Sequence, residues 1–61
     1  MPSLESLKAA YEIESAIVEH LEQHLVAHPD STGRNLYSVG HQASSARAAA
    51  LARMIDRAEG N

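Results

Sequence analysis

The apolar residues of the first half of the chain predict one long amphipathic helix over about residues 4–28. This stretch contains no glycine and no proline. Ser3 precedes it as a good N-cap, and Pro29 disfavours helical geometry at the residue before it. At the helical spacing of about 100° per residue, the larger apolar side chains share one stripe and fit the a and d positions of a heptad. The stripe consists of Leu4, Leu7, Tyr11, Val18, Leu21 and Leu25.

This stripe is wider than contact with a single helix requires. Ala10, Ile13 and Ile17 extend it to about half of the helix circumference. A two-helix contact covers a narrower band. We therefore expect the first helix to contact more than one neighbour.

A dense group of turn formers separates the first helix from a second one. The segment Pro29-Asp30-Ser31-Thr32-Gly33 favours a chain reversal. Asn35 and Ser38 are competing N-caps, and Gly40 weakens a helix that starts early. The sequence therefore predicts a turn over residues 29–37 and a second helix over about residues 38–58, firmest from His41 onward, with an extra turn over residues 36–40 as the alternative start.

The second helix is rich in alanine and poor in bulky side chains. A row of small residues on a helix lets another backbone approach closely, with axes at the low end of the usual 8–10 Å range. The row consists of Ala43, Ala46 and Ala50. Helices joined by a short loop pair antiparallel. We therefore predict an all-α, antiparallel two-helix hairpin spanning residues 1–61 as a single domain.

The size of the chain predicts association with a second copy. Natural proteins below roughly 70–80 residues usually add disulfides, a metal or a partner subunit. This chain has 61 residues and no cysteine, and Tyr11 and Tyr37 are its only aromatic residues. A homodimer would bury the wide stripe of the first helix and the alanine row of the second. The expected assembly is a four-helix bundle.

The charge pattern excludes some classes of partner. The formal net charge is −3, whereas nucleic-acid binding requires clustered excess Lys and Arg. Residues 1–30 carry about −5 and residues 31–61 about +2, as expected for two complementary helices packed together. No apolar run approaches the ~20 residues needed to cross a bilayer. The first residues do not resemble a signal peptide, so a cytoplasmic location is expected.

Three histidines on the first helix offer the clearest candidate metal site. His20, His24 and His28 repeat every four residues, and neighbouring members of such a row can bind zinc together. Glu22 does not stand where zinc-protease helices place their glutamate. The competing interpretations are a solvated helix edge, with His28 near the C-terminal end of the dipole, and a pH-sensitive interface.

Glu14 interrupts the apolar stripe at a d position. A buried carboxylate is costly unless it is paired. With a turn near residues 31–34, position 14 lies opposite about position 52 or 53, so Arg53 is the expected partner. Arg47 or an arginine of a second chain is the alternate. Such a pair would fix register and oligomeric state, and breaking it with Glu14→Ala would cost on the order of 3–5 kcal/mol. A ligand-binding or a solvent-facing Glu14 is the other possibility.

Taken together, these patterns favour a small non-enzymatic interaction, assembly or regulatory module that acts as a helical homodimer without a cofactor. The serines show no nucleophile elbow, and a scaffold this small rarely encloses a ligand pocket of ~300–1,000 Å³. Another protein partner is also compatible with these patterns. The alternative is a zinc-binding bundle that uses the histidine row. The predicted interface residues are Leu7, Tyr11, Glu14, Val18, Leu21, Ala43, Ala46, Ala50 and Arg53.

Overall fold

The computed structural model describes residues 2–30 and 32–60 as two long helices packed against each other. Helix α1 spans Leu4–Ala27 and helix α2 spans Arg34–Ala58. The two helices run antiparallel and form an elongated body of 44 × 16 × 13 Å. The prediction of an all-helical hairpin is confirmed.

Helix α1 begins and ends at residues whose chemistry favours those ends. The Ser3 side chain accepts a hydrogen bond from the backbone N–H of Ser6 at 3.1 Å, as an N-cap does. Glu5 lies in the first turn, where its charge complements the helix dipole. At the other end, His28 is the C-cap and its N–H donates to the His24 carbonyl at 2.9 Å. Pro29 follows directly, so the helix stops within one residue of its predicted end.

Helix α2 begins earlier than its sequence predicts. It starts at Arg34 instead of about residue 38, so the predicted turn over residues 29–37 is too long. Gly33 precedes it with a left-handed φ of 88°, which glycine adopts without steric cost. The Gly33 carbonyl then accepts hydrogen bonds from the N–H groups of Leu36 and Tyr37, at 2.9 and 3.1 Å. Gly33 therefore starts the helix without a side-chain cap.

Gly40 lies inside α2 because the packing there favours a helix despite the low propensity of glycine. A Cβ atom at Gly40 would lie 3.5 Å from Cδ1 of Leu21, an ordinary van der Waals contact. Leu21 of α1 therefore covers Gly40 closely. Packing of this kind overrides intrinsic propensity, which is a weak local preference.

The length of the turn sets which residues face each other. Ala27 ends α1 and Arg34 begins α2, so residues equally distant from these two ends lie opposite one another. Thirteen residues back from Ala27 is Glu14, and thirteen residues on from Arg34 is Arg47. Glu14 therefore pairs with Arg47, the alternate partner, and the prediction of Arg53 is wrong. The error follows from placing the turn too far along the chain.

The contact between the helices is narrow and contains small side chains. Among the described residues, Leu7 and Ser44 are the most deeply buried, with 6% and 2% of their surface exposed. Several large apolar side chains remain exposed instead. They are Tyr11, Ile13, Ile17, Val26, Leu36, Tyr37, Val39 and Met54. The hairpin by itself therefore covers only part of the apolar surface of its helices.

Candidate interaction surface

One long side of the helix pair carries two polar contacts between the helices. Lys8 Nζ lies 3.0 Å from Glu59 Oε2 at the open end of the hairpin. His41 Nε2 lies 2.9 Å from Glu22 Oε1 nearer the turn. Between them is an open groove of about 430 Å³. The groove is lined by Tyr11, Ser15, Val18, Glu19, Glu22, Ser45 and Ala48. We call this the polar side.

The opposite side of the helix pair is largely apolar. The Glu14–Arg47 ion pair and the contact of Leu21 with Gly40 fix which flanks of the two helices meet there. At about 100° per residue, these contacts bring the Ile13 flank of α1 beside the alanine row of α2. We call this the apolar side. Its apolar members are Ile13, Ile17, Leu36, Ala43, Ala50 and Met54, and at the same helical spacing His20 and His24 continue the α1 flank toward the turn.

The side chains of the apolar side are open to solvent. Ile13 has 63% of its surface exposed, and Ile17 and Met54 are also exposed. Leu36 extends the exposed region toward the turn. At the other end, an open cavity of about 320 Å³ continues the apolar surface. That cavity is lined by Pro2, Leu7, Met54, Arg57 and Ala58.

The ion pair of Glu14 and Arg47 lies at the inner edge of the apolar side. Arg47 Nε donates to Glu14 Oε1 at 2.8 Å, and Arg47 Nη2 donates to Ser44 Oγ at 3.2 Å. The Glu14 side chain is 16% exposed, whereas that of Arg47 is 58% exposed. Glu14 Oε2 is shielded from solvent and has no hydrogen-bond partner among the described residues. One arginine thus holds a carboxylate that is mostly desolvated.

The predicted interface residues are spread over the hairpin. Leu7 and Leu21 pack between its two helices. Tyr11 and Val18 line the groove of the polar side. Glu14 lies at the inner edge of the apolar side, and the remaining four lie on the exposed or half-buried surface of α2. Ala43 and Ala50 belong to the apolar side, Ala46 flanks it, and Arg53 is exposed outside every ion pair found within the described residues.

The histidine row is only partly brought together. The rings of His24 and His28 lie with centroids 4.9 Å apart, and His20 is exposed. His24 Nε2 is shielded from solvent without a hydrogen-bond partner in the described part of the chain. Within residues 2–30 and 32–60, no group of three or more potential ligands is placed to hold a metal ion. The zinc hypothesis stays a prediction.

Sequence reasoning missed the contact of His24 with Tyr37. Their ring centroids are 4.0 Å apart with the planes tilted by 30°. The sequence predicts Tyr37 to lie in the turn, whereas it is the fourth residue of α2. The signal that identifies this contact is the register, because Tyr37 lies three residues into α2 and His24 three residues before the end of α1.

Comparisons with protein-family models, curated protein sequences and solved structures found no significant match to this chain. Within the described residues, neither helix has a stretch that is long and apolar enough to span a membrane. The two unlike sides of the hairpin are the features that bear on its function.

Proposed function

We propose that the chain is a non-enzymatic interaction module that associates with a second copy through its apolar side, forming a four-helix bundle with an assembly or regulatory role. The observation that carries this proposal is the difference between the two sides of the hairpin. The polar side is bridged by Lys8–Glu59 and Glu22–His41. The apolar side exposes Ile13, Ile17 and Met54, with the Glu14–Arg47 pair at its inner edge. Contiguous exposed apolar surface rimmed by polar residues is typical of an interaction site.

The dimensions of the hairpin suit an interface of ordinary size. A face of 44 × 16 Å covers about 700 Å² in projection, close to the ~800 Å² per partner of a standard protein–protein interface. Burial of this area would also add a hydrophobic core to the hairpin, since only Leu7 among the described apolar residues is deeply buried. A domain of this size has little apolar burial to spare.

The proposal assigns no reaction to the chain. The polar side chains that meet across the helices form ion pairs and hydrogen bonds with each other, as in Glu14–Arg47 and Glu22–His41. A nucleophilic site instead requires a nucleophile held by a base that is itself oriented by a third group. The observed contacts therefore favour a structural role for these residues.

Sedimentation equilibrium of two matched variants tests the proposal. The parent chain is expected at about twice its mass of 6.6 kDa at micromolar concentration, with a melting temperature that rises with concentration. Ile13→Glu places a charge on the apolar side and should give a monomer. Val26→Glu introduces the same side chain at a residue of α1 that is 82% exposed and lies outside the apolar side, so it should remain a dimer.

Two results would contradict the proposal. One is a parent chain that sediments as a compact monomer with a melting temperature independent of concentration. The other is equal dissociation of the Ile13→Glu and Val26→Glu variants, which would show that the apolar side is not the interface.

A further inference from the structure

We infer that the twofold axis of the dimer runs along the bundle, so that α1 of each copy packs antiparallel on α2 of the second copy. This inference rests on the proposed dimer. When two apolar sides meet face to face, a twofold axis can run either along the helices or across them in the plane of the interface. The first arrangement places α1 on α2 of the second copy. The second places α1 on α1 and α2 on α2.

Charge favours the axis that runs along the bundle. Helix α1 contains five glutamates and one lysine, a formal charge of −4, and α2 contains four arginines and one aspartate, a formal charge of +3. An axis across the bundle places like charges on neighbouring helices, and such juxtaposition disfavours an interface. An axis along the bundle makes every pair of neighbouring helices opposite in charge.

Side-chain size leads to the same arrangement. The apolar side of α1 carries the bulky Ile13 and Ile17, and that of α2 carries Ala43 and Ala50 at its centre. Isoleucine against alanine lets large side chains fill the space that small ones leave. Pairing α1 with α1 would hold two helices apart at the isoleucines, while α2 and α2 would need to approach at their alanines. The mixed pairing gives both contacts the same spacing within the usual 8–10 Å.

The register of the hairpin makes this pairing specific. Rotation about an axis along the bundle leaves the height of every residue unchanged. Ile17 lies ten residues before the end of α1, level with the residue ten positions into α2, Ser44. Ile17 therefore meets the level of Ala43 in the second copy, and Ile13, one turn away, lies between Ala43 and Ala50. The isoleucines and alanines match in height without any shift of one copy along the other.

The half-exposed Arg47 adds a further reason. An axis that crosses the bundle between the isoleucines of two α1 helices also passes close to Arg47 of both α2 helices, because Arg47 lies at the level of Glu14. Two neighbouring guanidinium groups would then repel each other. With the axis along the bundle, each Arg47 lies against the isoleucines of the other copy and stays paired with its own Glu14.

Disulfide cross-linking distinguishes the two arrangements, and the chain is suited to it because it contains no cysteine. The first mixture combines a chain carrying Ile17→Cys with a differently tagged chain carrying Ala43→Cys. The second mixture combines Ile13→Cys with Ile17→Cys chains. Neighbouring helices bring suitable residues within the ~7 Å Cα separation that a disulfide tolerates, whereas diagonal helices do not. Each variant oxidised alone serves as the control for disulfides between two identical chains.

An axis along the bundle predicts a cross-linked heterodimer in the Ile17→Cys and Ala43→Cys mixture and none in the other. Cross-linking only in the Ile13→Cys and Ile17→Cys mixture would overturn the inference and leave the dimer intact. A dimer that cross-links in neither mixture would overturn it as well. Sedimentation of the reduced variants, with circular dichroism to verify helicity, separates these results from a monomer, which would refute the proposed function itself.

Discussion

Truncating either member of the Glu14–Arg47 ion pair is expected to lower the free energy of unfolding, but by unequal amounts. The pair is asymmetric, since the carboxylate is mostly buried and the guanidinium is more than half exposed. In the separate hairpin, removing Arg47 strands a desolvated charge, whereas removing Glu14 leaves an arginine that water can solvate. We therefore predict that Arg47→Ala destabilises the protein much more than Glu14→Ala does.

The cost of Arg47→Ala follows from the surroundings of the carboxylate. Glu14 Oε2 already lacks a hydrogen-bond partner among the described residues, and the substitution removes the donor to Oε1 as well. A fully buried pair broken in this way costs about 3–5 kcal/mol, and the remaining exposure of Glu14 reduces the expected cost to about 2 kcal/mol. In a domain of this size that corresponds to a melting temperature lower by about 8–16 °C.

The opposite truncation should be mild. Glu14→Ala removes a pair whose other member is largely exposed, and such pairs contribute about 0–1 kcal/mol. This cost is smaller than the ~3–5 kcal/mol that the sequence predicts for a buried pair, because Arg47 is 58% exposed. Glu14→Leu should go further and raise the stability by about 1 kcal/mol, because it removes an unsatisfied buried oxygen and continues the apolar stripe.

Urea unfolding followed by far-ultraviolet circular dichroism measures these free energies. Repeating it at several protein concentrations separates effects on the hairpin from effects on association. The Glu14→Ala/Arg47→Ala double variant completes the cycle and should be more stable than Arg47→Ala alone, since it no longer contains the stranded carboxylate. Equal costs for the two single variants, or a larger cost for Glu14→Ala, would refute the reasoning.

Three further substitutions test other contacts. Gly40→Ala should raise the free energy of unfolding by about 0.5–1 kcal/mol, measured by urea unfolding, because the added Cβ meets Leu21 at an ordinary distance. His24→Phe should raise the melting temperature by removing an unpartnered buried nitrogen. A zinc-induced rise in the melting temperature of the parent that is lost in this variant would instead support the metal alternative. Lys8→Ala should change the free energy of unfolding by less than about 1 kcal/mol, since its pair with Glu59 is half exposed.

The helices themselves could be predicted from local features of the sequence. Ser3 and Pro29 mark the ends of α1 because capping and the restriction before proline act within a few residues. The start of α2 could not be found in the same way. Asn35 and Ser38 are better caps than Gly33, yet the left-handed backbone of Gly33 lets the helix begin before them.

Features of the candidate surface that depend on a single helix could be predicted from the sequence, whereas contacts between the helices could not. A carboxylate within an apolar stripe indicates burial, and Glu14 is indeed mostly buried. Its partner depends on register, and a difference of a few residues in the turn moved the expected arginine from Arg47 to Arg53. The contacts of the polar side, such as Glu22 with His41, depend on the same register and have no local signal.

The small side chains along the seam of the hairpin have a consequence for its alignment. Gly40 and Ser44 present no bulky side chain to α1, so these two positions offer little steric resistance to sliding one helix past the other by a turn of about 5.4 Å. The same slide would break two polar contacts that lie at different heights along the hairpin, Lys8–Glu59 and Glu22–His41. Together with the Glu14–Arg47 pair, these polar contacts add a preference for the observed register. Since dissolved salt screens exposed charges, ionic strength controls how firmly the two helices are held against sliding.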